Sequence, residues 1–311
     1  MSTSIRDWTS FIKQVGRGAR GARDLPESDA EELFGAMLDG EVPEMELGAL
    51  WIAYRIKGES LGELRGFCTA VAKRIARIDV PDGPMPVILP SYNGARRLPN
   101  MTPLLAMLLA REGIPVLMHG VADSYGRVTT ISILRELGIA ESKSAVAAAG
   151  SLKRGRLAYM PLEALSPGLA RLMTGRMRIG VRSSAHTIAK LLDPFGGKAL
   201  RIVPVTHPDY LQRMTDLFAV DGWPAILLRG SEGEPYASPR RMPALTLFKQ
   251  GEGREIEPQG DHEVTADSLS QEVSAATTAA WIGEVLSGAK PVPPTLMTQV
   301  QRFSAAARGQ S

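Results

Sequence analysis

The sequence predicts a two-domain α plus α/β chain. A small helical domain spans residues 1–80, and a larger α/β domain with a mostly parallel central sheet spans 81–311. Three observations carry this. Capped, apolar-periodic stretches fill the first ~80 residues. A Pro/Gly/Asp-rich stretch, "DVPDGPMP", then reads as a hinge. Beyond it, short apolar runs alternate with helix-length segments, the pattern of βα units.

In chain order, Ser28-Asp-Ala-Glu31 reads as a capping box opening a helix that stops at Gly40. Pro43 opens "PEMELGALWIAYRIKG", closed by Gly58, and Ser60-Leu-Gly-Glu63 forms another box before "SLGELRGFCTAVAKRI". Trp51, Tyr54 and Phe67 are read as packing between these helices, and Cys68 as a buried, inert thiol. After the hinge the strand candidates are "VILP", "VLMH", "LAYM", "RIVPV", "AILLR" and "ALTLF". The interleaved helix candidates are "PLLAMLLAREG", "TTISILRELG", "SSAHTIAKLL" and "DYLQRMTDLF". "GEGREIEPQGDHE" reads as a polar loop or hairpin edge, and the tail from "SLSQEVSAATTAAWIGEVLSGA" returns to helix.

At 311 residues, with 44% hydrophobic and 22% charged content, the chain has the composition of a soluble globular protein with ample core. No run approaches the roughly 18 apolar residues of a membrane span, and the polar N-terminus lacks a signal-peptide core, so a cytoplasmic location is expected. One cysteine excludes an intramolecular disulfide. His119, His186, His207 and His262 show no metal-ligand spacing with a carboxylate, so neither metal nor other cofactor is expected.

Charge is unevenly distributed. Residues 24–50 carry nine Asp/Glu and no Lys/Arg, whereas 151–192 carry eight Lys/Arg against Glu163 alone, net +7. Such asymmetry bears on partners rather than on fold.

The stretch "ILPSYNGARRLPNMTP" has the strand–loop–helix layout that presents backbone N–H groups to a phosphate, but with a single glycine. Together with "MLDGEVPEMELGALWIAYRIKGES" and the α/β alternation, it resembles the anthranilate phosphoribosyltransferase-like family (glycosyltransferase family 3) from about Leu25 onward. The resemblance implies a phosphoribosyltransferase/nucleoside phosphorylase-like fold and a dimer formed through the N-terminal helices.

Laid on this chain, the family's signatures are largely lost. Its diphosphate loop, Gly-Thr-Gly-Gly-Asp, falls on Pro90, Ser91, Tyr92, Asn93 and Gly94. Its Asn-x-Ser-Thr falls on Asn100, Met101, Thr102 and Pro103, and its Lys-His-Gly-Asn-Arg on Met118 to Ala122, keeping His119. Its Ser-Ala-Asp becomes Thr130, Ile131 and Ser132, and its magnesium-holding Asp-Glu falls on Pro235 and Tyr236, near Glu232 and Glu234. Phosphoribosyl transfer needs groups that stabilise a departing diphosphate, so anthranilate chemistry is not expected. Asn93, Gly94, Asn100, Thr102, His119 and the helix start at Ser183 remain as a residual phosphate or ligand cleft.

The basic residues suggest a different partner. Arg96, Arg97, Arg127, Arg240 and Arg241 flank the altered motifs, and Lys153, Arg154, Arg156, Arg171, Arg176, Arg178, Arg182 and Lys190 occupy the +7 segment. Phosphate contacts by such groups dominate non-specific nucleic-acid affinity. "GVRSSAHTIAKLLDPF", "HPDYLQRM" and "GSEGEPYASPRR" are similar to the YbiB-type branch of the family, which implies a DNA-binding homodimer with a basic groove. No sequence-reading motif is present, and aromatics total 5%, so DNA or RNA would be held with little sequence preference. The alternative expectation is a glycosyl- or phosphoribosyltransferase, or a phosphorylase, acting on another substrate.

Overall fold

A computed structural model describes residues 7–122, 125–262 and 272–310. The chain forms two compact units, Met1–Ile75 with Ser166–Leu192, and Ala76–Leu165 with Asp193–Ser311. Segment 166–192, expected in the α/β domain, thus belongs to the helical unit. Its helix Pro167–Thr174 packs on helix Glu27–Asp39, burying Leu169, Leu172 and Met173. The +7 segment is therefore divided: Lys153, Arg154 and Arg156 lie in one unit, and the remaining five basic residues in the other.

In the helical unit, helices Glu27–Asp39, Glu44–Lys57 and Leu61–Ala72 surround a core in which Phe34 stacks on Phe67 at 4.5 Å and Tyr54 meets Phe67 edge-on at 5.3 Å. The box at Ser60 forms: Glu63 N donates to Ser60 Oγ, and Ser60 N to Glu63 Oε2. The box expected at Ser28 does not. That helix begins two residues earlier, with Pro26 at its N-cap, and Ser28 Oγ donates instead to the Asp29 carboxylate. Cys68, expected to be buried, is half-buried.

The strands of the α/β unit are β1 (Val87–Ser91), β2 (Val116–Gly120), β3 (Leu157–Pro161), β4 (Leu200–Val205), β5 (Ala225–Arg229), β6 (Arg241–Met242), β7 (Leu245–Lys249), β8 (Glu252–Glu257) and β9 (Gly260–Asp261). Seven form one sheet in the order β3-β2-β1-β4-β5-β7-β8, in which β7 pairs antiparallel with both β5 and β8 and the other pairings are parallel; β6 and β9 pair separately. Strands β1, β2 and β4 are buried along their whole length, as expected for a parallel sheet covered on both faces. "GEGREIEPQGDHE" forms the β7–β8 hairpin edge and β9, its last residue lying outside the described residues. The tail helix is Ala275–Ser287, and the start of its stretch also lies outside them. "SSAHTIAKLL" gives only a short helix, Ala185–Ile188, and a 3-10 turn. Among the described residues no helix is long and apolar enough to cross a membrane.

The connections β1→β2→β3 run to one side of β1, and β4→β5 to the other, so the order reverses between β1 and β4. In open α/β sheets the crevice at the carboxyl ends of two such strands is where ligands bind. Pairing of β1 with β4 covers only Val87 and Ile88. Pro90 therefore sits where this ladder has already opened, and its missing N–H breaks no bond to β4.

Candidate functional site

The loop after β1 borders that crevice. Gly94 takes φ +64°, which turns the backbone so that successive N–H groups face one way. They face carboxylates of the same chain. Asn93 N and Gly94 N donate to Glu234 Oε1 at 2.8 and 2.9 Å, and Thr102 Oγ1 donates to Glu234 Oε2 at 3.2 Å. The N–H groups of Arg96, Arg97 and Leu98 donate to Glu232 Oε1 at 3.3, 3.0 and 3.3 Å. The Arg127 guanidinium lies 3.9 Å from Glu232 Oε2.

Both glutamates sit in the turn after β5, closed by Glu234 N donating to Ser231 O at 2.9 Å. Gly233, at φ +88°, lets this turn lie against the loop: a Cβ there would come within 2.1 Å of Asn93 Nδ2, which donates to Gly233 O. Glu234 is fully buried. The donors that would cradle a diphosphate are thus satisfied internally.

The remaining cleft residues are also committed. Tyr92 does not project into the crevice. It is buried, and its hydroxyl meets His119 Nδ1 at 2.5 Å. Burial holds the Tyr92 phenol well above its usual range and pushes His119 down to about 3. The other ring nitrogen of His119, Nε2, is buried with no hydrogen-bond partner among the described residues. His119 therefore does not line an open cleft, as expected from sequence, but is locked beneath the loop. Asn100 Nδ2 donates to Val128 O and Thr130 Oγ1, and its Oδ1 accepts from Thr102 N. Ser183 belongs to the helical unit. The helix it was expected to open is only four residues long, and Ser183 N donates to His186 Nδ1.

A magnesium ion does not fit here. The sequence expectation puts the family's carboxylate pair on Pro235 and Tyr236, which offer no carboxylate, and the nearby Glu232 and Glu234 are used as acceptors for backbone N–H groups. Among the described residues no group of three His, Cys, Asp or Glu could hold a metal.

The topology sorts the basic residues of the α/β unit. Arg96, Arg97 and Arg127 follow strands β1 and β2, and Arg240 and Arg241 precede the antiparallel β7, so these five lie at the carboxyl edge of the sheet. Arg229, which sequence reasoning missed, joins them at the exposed end of β5. Arg96, Arg97 and Arg240 are exposed, with no side-chain ion pair among the described residues, while Arg241 lies 3.7 Å from Asp261. Lys153, Arg154 and Arg156 precede β3 and so lie at the opposite, amino edge. Arg156 is there tied to the Asp82 carbonyl. One continuous basic face through residues 151–156 and the β1 loop is therefore excluded by strand direction.

In the helical unit, Arg171 donates to the carbonyls of Met37 and Leu38 at 3.1 and 2.7 Å, capping a helix end rather than facing solvent anions. Arg178 pairs bidentately with Glu44 at 2.8 and 3.0 Å, which holds the Glu44 carboxyl below its ordinary range. Arg182, Arg176 and Lys190 gather near His186. Burial first, then these charges in that order, push its imidazole down to about 3.

Comparison with known proteins agrees with this fold. Residues 9–75 match the glycosyl transferase family, helical bundle domain. The chain is 42% identical over 296 residues to YbiB, an uncharacterized protein of Escherichia coli strain K12, covering 94% of this chain and 92% of that one. It is 23% identical to the anthranilate phosphoribosyltransferase of Beijerinckia indica, covering 72% of this chain and 64% of the relative. Its fold matches the crystal structure of anthranilate phosphoribosyltransferase from Thermus thermophilus with a TM-score of 0.77, at 20% identity, over 96% of this chain and 90% of the other.

Proposed function

We propose, from the premise that this chain belongs with YbiB to the anthranilate phosphoribosyltransferase-like family (glycosyltransferase family 3), that it binds nucleic acid electrostatically and transfers no phosphoribosyl group to anthranilate. The observation that carries this reading is the fate of the loop after β1. Its backbone donors are taken by Glu232 and Glu234, while the side chains of Arg96 and Arg97 remain exposed.

Phosphoribosyl transfer requires the opposite arrangement, with donors and a cation held ready for a diphosphate leaving group. A polymer of phosphates needs only accessible cations spaced along a surface. Arg96, Arg97, Arg229 and Arg240 supply these at the carboxyl edge of the sheet. In the helical unit Arg176, Arg182 and Lys190, each half-buried, stand near His186. With no sequence-reading motif in the chain, binding is to DNA or RNA without base preference.

The acting form is a homodimer joined through the helical unit. Met45, Ile52 and Ile56 fall on one side of helix Glu44–Lys57 and are 80%, 41% and 65% exposed, an apolar face that a second copy would cover.

The test is fluorescence anisotropy with a labelled duplex, alongside thermal unfolding with phosphoribosyl pyrophosphate and magnesium. Duplex binding with no thermal shift is the expected pair of results. A clear shift with phosphoribosyl pyrophosphate and no duplex binding would overturn the reading in favour of a transferase.

A further inference from the structure

We infer that the loop closed between Gln14 and Asp24 is a nucleic-acid contact surface of the helical unit, with Lys13, Arg17, Arg20 and Arg23 as its phosphate-binding cations. The inference rests on the nucleic-acid reading above and adds to it a surface on the unit that does not contain the sheet.

Residues 16–23 read "GRGARGAR", with an arginine at every third position and only glycine or alanine between. Over 8–23 the chain holds four Lys/Arg and no Asp/Glu. The ends of the loop are tied together: Arg23 N donates to Gln14 O at 2.9 Å, and Gln14 Nε2 donates to Asp24 O at 2.8 Å. Helices Trp8–Val15 and Gly18–Gly21 both pack on helix Glu44–Lys57. Gly18 takes φ +72°, and nothing lies within 4 Å of where its Cβ would stand. The arginines are thus carried on a fixed turn with open backbone rather than on a loose tail, which lowers the ordering cost of holding a ligand.

What sets these four cations apart is that the acids beside them are already taken. Asp24 pairs with Lys57, Glu27 with Arg65, Glu31 with Lys73 and Asp39 with Arg74. Lys13, Arg17, Arg20 and Arg23 are exposed and make no side-chain ion pair or hydrogen bond among the described residues. The local acids neutralise other cations of the unit and leave these four to an external anion. A guanidinium fork meets phosphate oxygens in pairs, and duplex DNA carries about one charge per 1.7 Å of axis. Three arginines on one short loop therefore suit a phosphate backbone. A lipid surface fits less well, because Trp8, Phe11 and Ile12 are half-buried and Val15 is buried, so helix Trp8–Val15 packs its apolar face within the unit.

Fluorescence anisotropy with the labelled duplex, over a salt series, tests this on the full chain. The variants are Arg17→Ala/Arg20→Ala/Arg23→Ala, the same three positions changed to Lys, and a charge control, Lys198→Ala/Lys249→Ala/Arg254→Ala, at exposed positions of the other unit. The alanine variant is expected to lose at least about ten-fold in affinity at about 50 mM salt, and about 2.7 of log–log slope, three contacts at about 0.9 each. The lysine variant should keep the slope, and the control should stay within about two-fold of the parent. The single alanine variants, each expected to lose about one contact's slope, read the same effect should the triple variant fail to fold. Parent-like binding by the alanine variants would overturn this inference alone. So would an equal loss in the charge control, or a loss in the lysine variant as large as in the alanine variant. Polyglutamate binding that disappears in the alanine variant while duplex binding stays would assign the loop to an acidic peptide, and likewise overturn it. A parent that binds no duplex would overturn the nucleic-acid reading itself, and this inference with it.

Discussion

Glu234 is the residue on which the loop after β1 depends. A buried carboxylate survives only when hydrogen-bonded, and here two backbone N–H groups and the Thr102 hydroxyl supply those bonds. Glu234→Ala leaves buried donors unpaired and is expected to cost about 3 kcal/mol, whereas Thr102→Val should cost about 1 kcal/mol; urea unfolding of the two variants measures both. His119 gives a pH dependence with a definite sign. An unfolded imidazole takes up its proton near pH 6.5, but buried His119 resists protonation down to about 3. The folded chain binds fewer protons in that window, so its contribution is fully present above pH 6.5 and is lost as pH falls toward 3. His119→Gln should flatten the fall of stability between those values, by at most about 1.4 kcal/mol per pH unit, as read from unfolding midpoints over a pH series. The sequence places Glu232 and Glu234 beside the positions expected for a lost metal pair. It does not show that they turn inward onto backbone N–H groups, because those partners lie some 130–140 residues away in the chain. Tyr92 is illegible for the same reason: only its contact with His119, 27 residues away, reveals it as buried packing.

At the level of elements, the strand and helix order is legible because buried parallel strands read as continuous apolar runs and the intervening helices carry clear starts and stops. The capping box at Ser60 forms as read, and it is reinforced by partners no local pattern shows. Glu63 also accepts from Leu25 N, from Tyr54 Oη and from Lys57, with Lys57 nearly as buried as Glu63 itself. Glu63→Ala breaks that buried pair as well as the cap and is expected to cost about 3–5 kcal/mol, against about 1 kcal/mol for Ser60→Ala. Arg171 shows how a charge count misleads. It reads as part of a basic run, yet its guanidinium closes the carbonyl end of helix Glu27–Asp39, where a cation also complements the helix dipole. Arg171→Ala should lower thermal stability and leave nucleic-acid affinity unchanged, a separation that unfolding and anisotropy measurements read independently.

For the whole molecule, strand direction decides which cations can act together. Residues that follow parallel strands gather at one edge of the sheet and residues that precede them at the other, so Arg96 and Arg97 cannot share a contact line with Lys153 and Arg154 along that sheet. A linear charge count lacks that geometry, and it likewise gives no sign that residues 166–192 return to the helical unit. Duplex affinity measured over a salt series, for the parent and for an Arg96→Ala/Arg97→Ala variant, tests the central claim most directly. Affinity is expected to fall linearly on a log–log scale, by about 0.9 per phosphate contact. The variant should lose roughly two contacts' worth of slope, equally for unrelated sequences. Affinity that ignores salt, or a slope untouched by removing both arginines, would contradict the claim.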